Sequence, residues 1–177
     1  MTGKVLLPGS TNRGLYKKTN IQQMEIPVDI TLNVAAVSTA VGFGTVVLAD
    51  LPEGNLLLLG CVASLAFAAG ADTSLVDAWD GDFGLGTTAA DDATITGADV
   101  DILPSSAIKA VASTKDVATI RVTSTTTEQG AIFDNTANTI DLNLNVVVDA
   151  DDITDDEDAD LAVTGTVSIA FLILGDD

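Results

Sequence analysis

The sequence predicts an all-β fold, a two-sheet antiparallel sandwich preceded by an extended N-terminal arm. Three observations lead there. Val, Ile, Leu, Ala and Thr dominate while the aromatic share is only 4%, and small or β-branched side chains suit pleated, closely stacked sheets. Turn signals recur at roughly the 8 to 12 residue spacing expected of sandwiches. Thr139 to Asp149 (TIDLNLNVVVD) gives the cleanest alternation of apolar and polar residues in the chain, as a half-buried strand does. At 177 residues the chain suits one well-filled domain, with residues 1–22 as the arm and 23–177 as the β-domain.

Residues Met1 to Gln22 mix Gly3, Pro8, Gly9, Ser10, Thr11, Asn12 and Gly14 with basic residues and keep neither a helical nor a strand period. They read as an arm that orders only against a partner. Met24 to Leu32 (MEIPVDITL) places Ile26, Val28, Ile30 and Leu32 on one face, and Pro27, which cannot donate to a ladder, marks an edge strand. Ala40 to Leu48 is a further β-rich run, with a bulge or bend expected at Gly42 and Gly44.

The turn Leu51 to Asn55 leads into Leu56 to Phe67, apolar at nearly every position and expected to be covered on both faces. Val76 to Phe83, with the only tryptophan, Trp79, and Ala93 to Leu103 are two more expected strands. Ser105 to Ser113 (SSAIKAVAS) is the one stretch with a helical reading, Ser105 or Ser106 serving as N-cap. Val117 to Thr123 and Ala131 to Asp134 are short strands. In Thr139 to Asp149, Ile140, Leu142, Leu144, Val146 and Val148 face inward while Asp141, Asn143 and Asn145 face outward. The last strand, Leu161 to Leu174, buries Leu161, Val163, Val167, Ile169, Phe171 and Ile173, with a bend at Gly165.

Seven Lys and Arg against 26 Asp and Glu give a formal charge of −19. So anionic a surface repels phosphate backbones, so nucleic acid is not an expected partner of the body. Four of the seven basic residues, Lys4, Arg13, Lys17 and Lys18, precede the first acid, Glu25, which makes the arm cationic on an acidic body. No secretory signal and no membrane span are predicted, since the longest apolar run is too short and lacks basic flanks.

The chemistry that remains is sparse. With no histidine and one cysteine, neither a catalytic triad nor a zinc site can be assembled. Cys61 sits in the apolar run and reads as an inert core thiol. The acidic run Asp149 to Asp160, and Asp77, Asp80 and Asp82 around Trp79, have the oxygen ligands that Ca²⁺ takes but not the spacing of an EF-hand loop, and a solvated loop is the expected role. No carboxylate pair stands out for glycoside hydrolysis. No enzymatic activity, cofactor or resident metal is expected. In the arm, Lys4, Arg13, Lys17 and Lys18 with Leu15 and Tyr16 form the candidate contact set, and Leu56, Leu58 and Trp79 are expected in the core or at a contact between copies.

The arm GSTNRGLYKKTN, then LPEGNLLLLGCVASLAF, AWDGDFGLGTTAADDATITGADVDILPSSA, IDLNLNVVVDADDI and the closing TVSIAFLILGDD resemble small virion proteins of tailed bacteriophages, of the capsid cement or decoration type. The resemblance covers most of the chain. It implies a jelly-roll fold, a homotrimer on the outer surface of the phage head, and an arm that clamps neighbouring major capsid proteins. A phage head fibre or glycan-binding β-sandwich module is the alternative.

Overall fold

The computed structural model describes residues 21–36, 41–69, 74–76, 79–109, 118–125, 127–149, 152–153 and 158–175. Within them the chain is all-β, apart from one 3-10 turn at Gly97–Asp99. The strands are β1 (Ile21–Ala36), β2 (Gly42–Asp50), β3 (Gly54–Ala69), β4 (Asp80–Gly86), β5 (Leu103–Lys109), β6 (Ala118–Thr123), β7 (Ile132–Asn135), β8 (Asp141–Val148) and β9 (Ala159–Gly175).

Every pairing is antiparallel, and the strands follow one path, β5-β4-β8-β2-β1-β9-β3-β6, with β7 beside β6 on the same edge of β3. The ladders are nested: β4 pairs β5, β3 pairs β6, β2 pairs β8 and β1 pairs β9. Two further ladders, β3 with β9 and β4 with β8, roll this ribbon up. The ends of the path, β5 and β6, approach within 8 Å between Cα atoms, so the sheet is nearly closed.

The strand that turns the corner is β1. It pairs β9 from Ile21 to Val34 but touches β2 only at Ala35↔Phe43 and Ala36↔Gly42. The glycines at which a bulge or bend is expected, Gly42 and Gly44, serve this corner. A β-carbon on Gly44 would collide with the Asn33 carbonyl oxygen, and one on Gly42 with the side chains of Ile153 and Val34. The register shift of β2 lies further on, between Val47 and Ala49. Between Ile21 and Val34 β1 is hydrogen-bonded on one side only, to β9, and Pro27 is tolerated there because an edge strand needs only half its donors.

The core is filled from alternate positions of each strand. Val163, Val167, Ile169 and Phe171 of β9, Leu142, Leu144, Val146 and Val148 of β8, and Leu56, Leu58, Leu65 and Phe67 of β3 are all buried. Phe67 meets Phe83 with ring centroids 5.1 Å apart. In β3 the inward positions change parity from Leu56 and Leu58 to Cys61, Ala63, Leu65 and Phe67. A bulge between Leu58 and Gly60 makes the change, since one extra residue moves every later side chain to the opposite face. Ser124 serves the bulge: its hydroxyl accepts from the Cys61 amide at 2.8 Å, and its own amide donates to the Cys61 carbonyl at 2.9 Å.

Several expectations need correction. Leu56 to Phe67 is not covered on both faces: Leu57 and Val62 are half-buried and Leu59 is exposed. The strand covered on both faces is β8. Asn143 and Asn145, expected outside, are buried together with Val147, because residues 87–101 fold over that face and form a second small core of Ala90, Ile95 and Val147.

The strand expected over Ala93 to Leu103 is accordingly a loop as far as Ile102, with Leu103 opening β5. Asp92 Oδ1 accepts from the Thr94 amide at 2.7 Å and the Asp99 carboxylate accepts from the Thr96 amide at 3.3 Å, so side chains take donors that a ladder would have used. Ser105 to Lys109 is strand and not helix. It alternates exposed Ser105 and Ala107 with half-buried Ser106 and buried Ile108, and pairing with β4 outweighs the weak tendency of barely two helical turns. The strand expected over Val76 to Phe83 begins only at Asp80 and runs on to Gly86.

Candidate interaction surface

Leu56, Leu58 and Trp79 lie in the interior of a single chain, which leaves contacts with other molecules to other side chains. Trp79 Nε1 is buried and has no hydrogen-bond partner among the described residues. Lys4, Arg13, Leu15, Tyr16, Lys17 and Lys18 lie outside the described residues, as do Asp77 and residues 150–151 and 154–157 of the acidic run. The expected arm and the sheet overlap at Ile21 and Gln22, where β1 begins.

The outer face of the β1-β9-β3-β7 sheet carries an apolar row. Register places Ile21 opposite Leu172, Leu172 opposite Leu57, and Leu57 opposite Ile132. The residues next to them, Phe171, Leu56, Leu58 and Phe133, point into the core, so alternation turns the row outward. Leu59, in the bulge, and Leu174, two residues past Leu172, stand exposed beside it. Among the described residues five large apolar side chains are exposed, and Ile21, Leu59, Ile132 (62%) and Leu174 are four of them. The fifth, Val47, is on β2.

Beyond the row the face carries no charge over Leu57 to Ala66 of β3 and Thr164 to Leu172 of β9. β9 presents Ala170, Ser168, Thr166 and Thr164, and opposite them β3 presents Gly60, Val62, Ser64 and Ala66. Charge enters at the margins, with Glu25 and Asp29 on β1, Asp134 on β7, Asp160 at the start of β9 and Arg121 on β6. On a chain with 26 acidic residues, such a face has the charge depletion that marks the centre of a protein interface. Alternation alone did not reveal it. The signal was the loss of alternation: in LLLL (Leu56 to Leu59) and FLIL (Phe171 to Leu174) both parities are apolar, and register brings these runs together.

Other polar groups are engaged in holding loops. Asn145 lies fully inside and uses both ends of its amide: Oδ1 accepts from Thr45 Oγ1 at 2.7 Å and the Ala90 amide at 2.9 Å, while Nδ2 donates to the carbonyls of Thr88 and Asp99. Asn135 Nδ2 donates to the Leu51 and Pro52 carbonyls and its Oδ1 accepts from the Ile140 amide. It forms the floor of a shallow cavity of about 240 Å³ between Leu51 and Thr139. Asp101 accepts from the amide and hydroxyl of Thr87, and burial raises its pKa. Burial pushes the Cys61 thiol up to about 12, so it is protonated and unreactive at neutral pH.

The acidic end of the molecule is built by backbone contacts. The Asp80 amide donates to Asp152 Oδ2 at 2.7 Å and the Asp149 amide to the Asp80 carbonyl at 3.0 Å. Partial burial, and then the negative charges of Asp80 and Asp149, raise the pKa of Asp152. Among the described residues no group of three or more His, Cys, Asp or Glu is arranged to hold a metal ion. No helix among them is long and apolar enough to cross a membrane. Trp79, Phe67, Phe83 and Phe171 are buried and present no ring for stacking on a sugar.

The sequence matches no known protein-family model and no curated protein.

Proposed function

We propose that the chain is a structural virion protein, a cement or decoration protein that trimerises on the outer surface of a tailed-bacteriophage head. Its cationic N-terminal arm clamps neighbouring major capsid proteins. The observation that carries this reading is the junction at Ile21. There a segment with four of the seven basic residues meets an acidic body beside an exposed apolar row. A cationic segment gains contacts and charge pairing when it is laid on an acidic neighbour, and Leu15 and Tyr16 supply apolar pegs.

The nested ladders support the jelly-roll form of the fold. Setting β7 aside, eight strands pair as one long ribbon, first with last, and wrap into two groups, β1-β9-β3-β6 and β2-β8-β4-β5. That is the connectivity of a double Greek key. The buried asparagines support a structural role, since Asn135 and Asn145 direct their hydrogen bonds to backbone groups that fix loops.

The test is sedimentation with purified phage heads stripped of surface proteins. Full-length protein is expected to cosediment. Protein lacking residues 1–20, which leaves β1 whole, is expected to bind at least about tenfold more weakly while circular dichroism shows an intact β-fold. Undiminished binding by the truncated protein overturns the clamp.

A further inference from the structure

We infer that the outer face of the β1-β9-β3-β7 sheet, centred on Ile21, Leu172, Leu57 and Ile132, is the surface on which a second copy of this chain docks. The inference deepens the proposed function by assigning the contact between copies, and it takes from that reading only the number of copies. Three observations argue for a like partner.

The first is apolar clustering. Four of five exposed large apolar side chains among the described residues gather on one end of one sheet. Strands β3, β7 and β9 are each covered toward the core, and the outward set stands exposed or half-buried among the described residues. Exposed rows of this kind are more common at interfaces than on the free surfaces of monomers.

The second is charge. Two copies each bearing −19 repel over most of their surface, and the uncharged span from Leu57 to Ala66 and from Thr164 to Leu172 is where they can approach. The rims are acidic, with Glu25 and Asp29 on β1 and Asp134 on β7.

The third is where the cationic segment starts. Ile21 belongs to the row, and Arg13, Lys17 and Lys18 precede it by only three to eight residues of sequence. A pair of copies thus carries both the acidic rim and, adjoining the row in sequence, the opposite charge to offset it. The same face therefore joins apolar burial at the centre to opposite charge at the margin, the usual division between interface core and rim. Around a three-fold axis each row can meet two equivalents.

The experiment uses the full chain and sedimentation equilibrium. Wild type is expected to associate. Leu59→Gln/Ile132→Gln, which changes no charge, is expected to raise the dissociation constant at least about tenfold with an unchanged circular dichroism spectrum. Val47→Gln, which alters the remaining exposed apolar residue, is expected to associate as wild type does. A double variant that associates normally, or a wild type that stays monomeric at millimolar concentration, overturns the inference.

If the double variant does not fold, Ile132→Cys decides. Its thiol should react slowly with maleimide at associating concentrations and rapidly on dilution, with the buried Cys61 silent; equal rates overturn the inference. Head binding by the protein lacking residues 1–20, which keeps Ile21 and the whole row, is a separate readout. A trimer held by this face that ignores heads would defeat the proposed function and leave this inference standing.

Discussion

The side chain of Asn145 accepts a hydrogen bond from the backbone amide of Ala90 at 2.9 Å, across 55 residues of sequence. It is the point at which the loop over residues 87–101 is fastened to β8. The same oxygen accepts from Thr45, so one side chain ties β2, β8 and the loop together. Removing it leaves the Ala90 amide buried without an acceptor, and an unsatisfied buried donor costs about 1–3 kcal/mol.

Asn145→Ala is therefore expected to lower the unfolding free energy by about 3 kcal/mol, since the loss of packing adds to the orphaned amide. Urea denaturation measures the loss. Hydrogen exchange should show the Ala90 amide opening faster than amides of β9. A variant within about 0.5 kcal/mol of wild type would mean that the loop is held by its small apolar core alone.

Gly165 faces Leu65 across the β3-β9 ladder at a φ of +141°, and a β-carbon there would strike the Ser64 carbonyl. No bend in register accompanies it, so the glycine permits close approach of two central strands. Gly165→Ala is expected to cost about 3 kcal/mol, from backbone strain and displacement of β3. Thermal unfolding reads the loss, and an unchanged melting temperature would contradict it.

Adjacent leucines separate fold from surface. Leu58 is 1% exposed, and Leu58→Asp would bury an unpaired carboxylate, with an expected loss of about 4 kcal/mol or more. Leu57 faces outward, and Leu57→Asp should keep the β-fold at a loss of about 1 kcal/mol from its cross-strand pairs. Circular dichroism of the two variants gives the comparison. Equal damage would place Leu57 in the core.

Asp152 sets a pH dependence. Its folded-state pKa lies above the ordinary 3.8, so the fold keeps a proton that the unfolded chain has released. Stability therefore falls as pH rises from the ordinary value through the raised one, and remains lower above it. Asp152→Asn retains an acceptor for the Asp80 amide and removes the repulsion from Asp80 and Asp149. Its urea midpoint is expected to exceed wild type at neutral pH, to match it near about pH 3, and to lose part of the gain in salt. The opposite pH trend would remove Asp152 from the account.

The sequence carried the strands whose inward sets alternate cleanly. β8 and β9 bury the apolar residues that period two assigns them, except that Ile140 and Ile173 at the ends are half-buried, and Pro27 marks a stretch paired on one side only. What it did not carry is which elements cover an outward face. Asn143 and Asn145 look solvated in TIDLNLNVVVD, and only the chain from Thr87 to Asp101 folding across β8 buries them. Ser105 to Lys109 has the residue types of a short helix and becomes a strand because β4 offers it a partner. The apolar row was invisible for a related reason: Ile21, Leu57, Ile132 and Leu172 are distant in sequence, and only ladder register lines them up.

The nested pairing also fixes an order of events during synthesis. β9 lies between β1 and β3 and is hydrogen-bonded to both, so until residue 175 has left the ribosome these two strands have no common partner. The nascent chain must hold two long, unzipped edges apart, with the apolar sides of Leu56 to Phe67 and Val28 to Val34 uncovered. Ladders this far apart in sequence form slowly, and open edges attract foreign strands. A chaperone that shields β1 and β3 until β9 arrives should raise the folded yield far more than it raises the final stability.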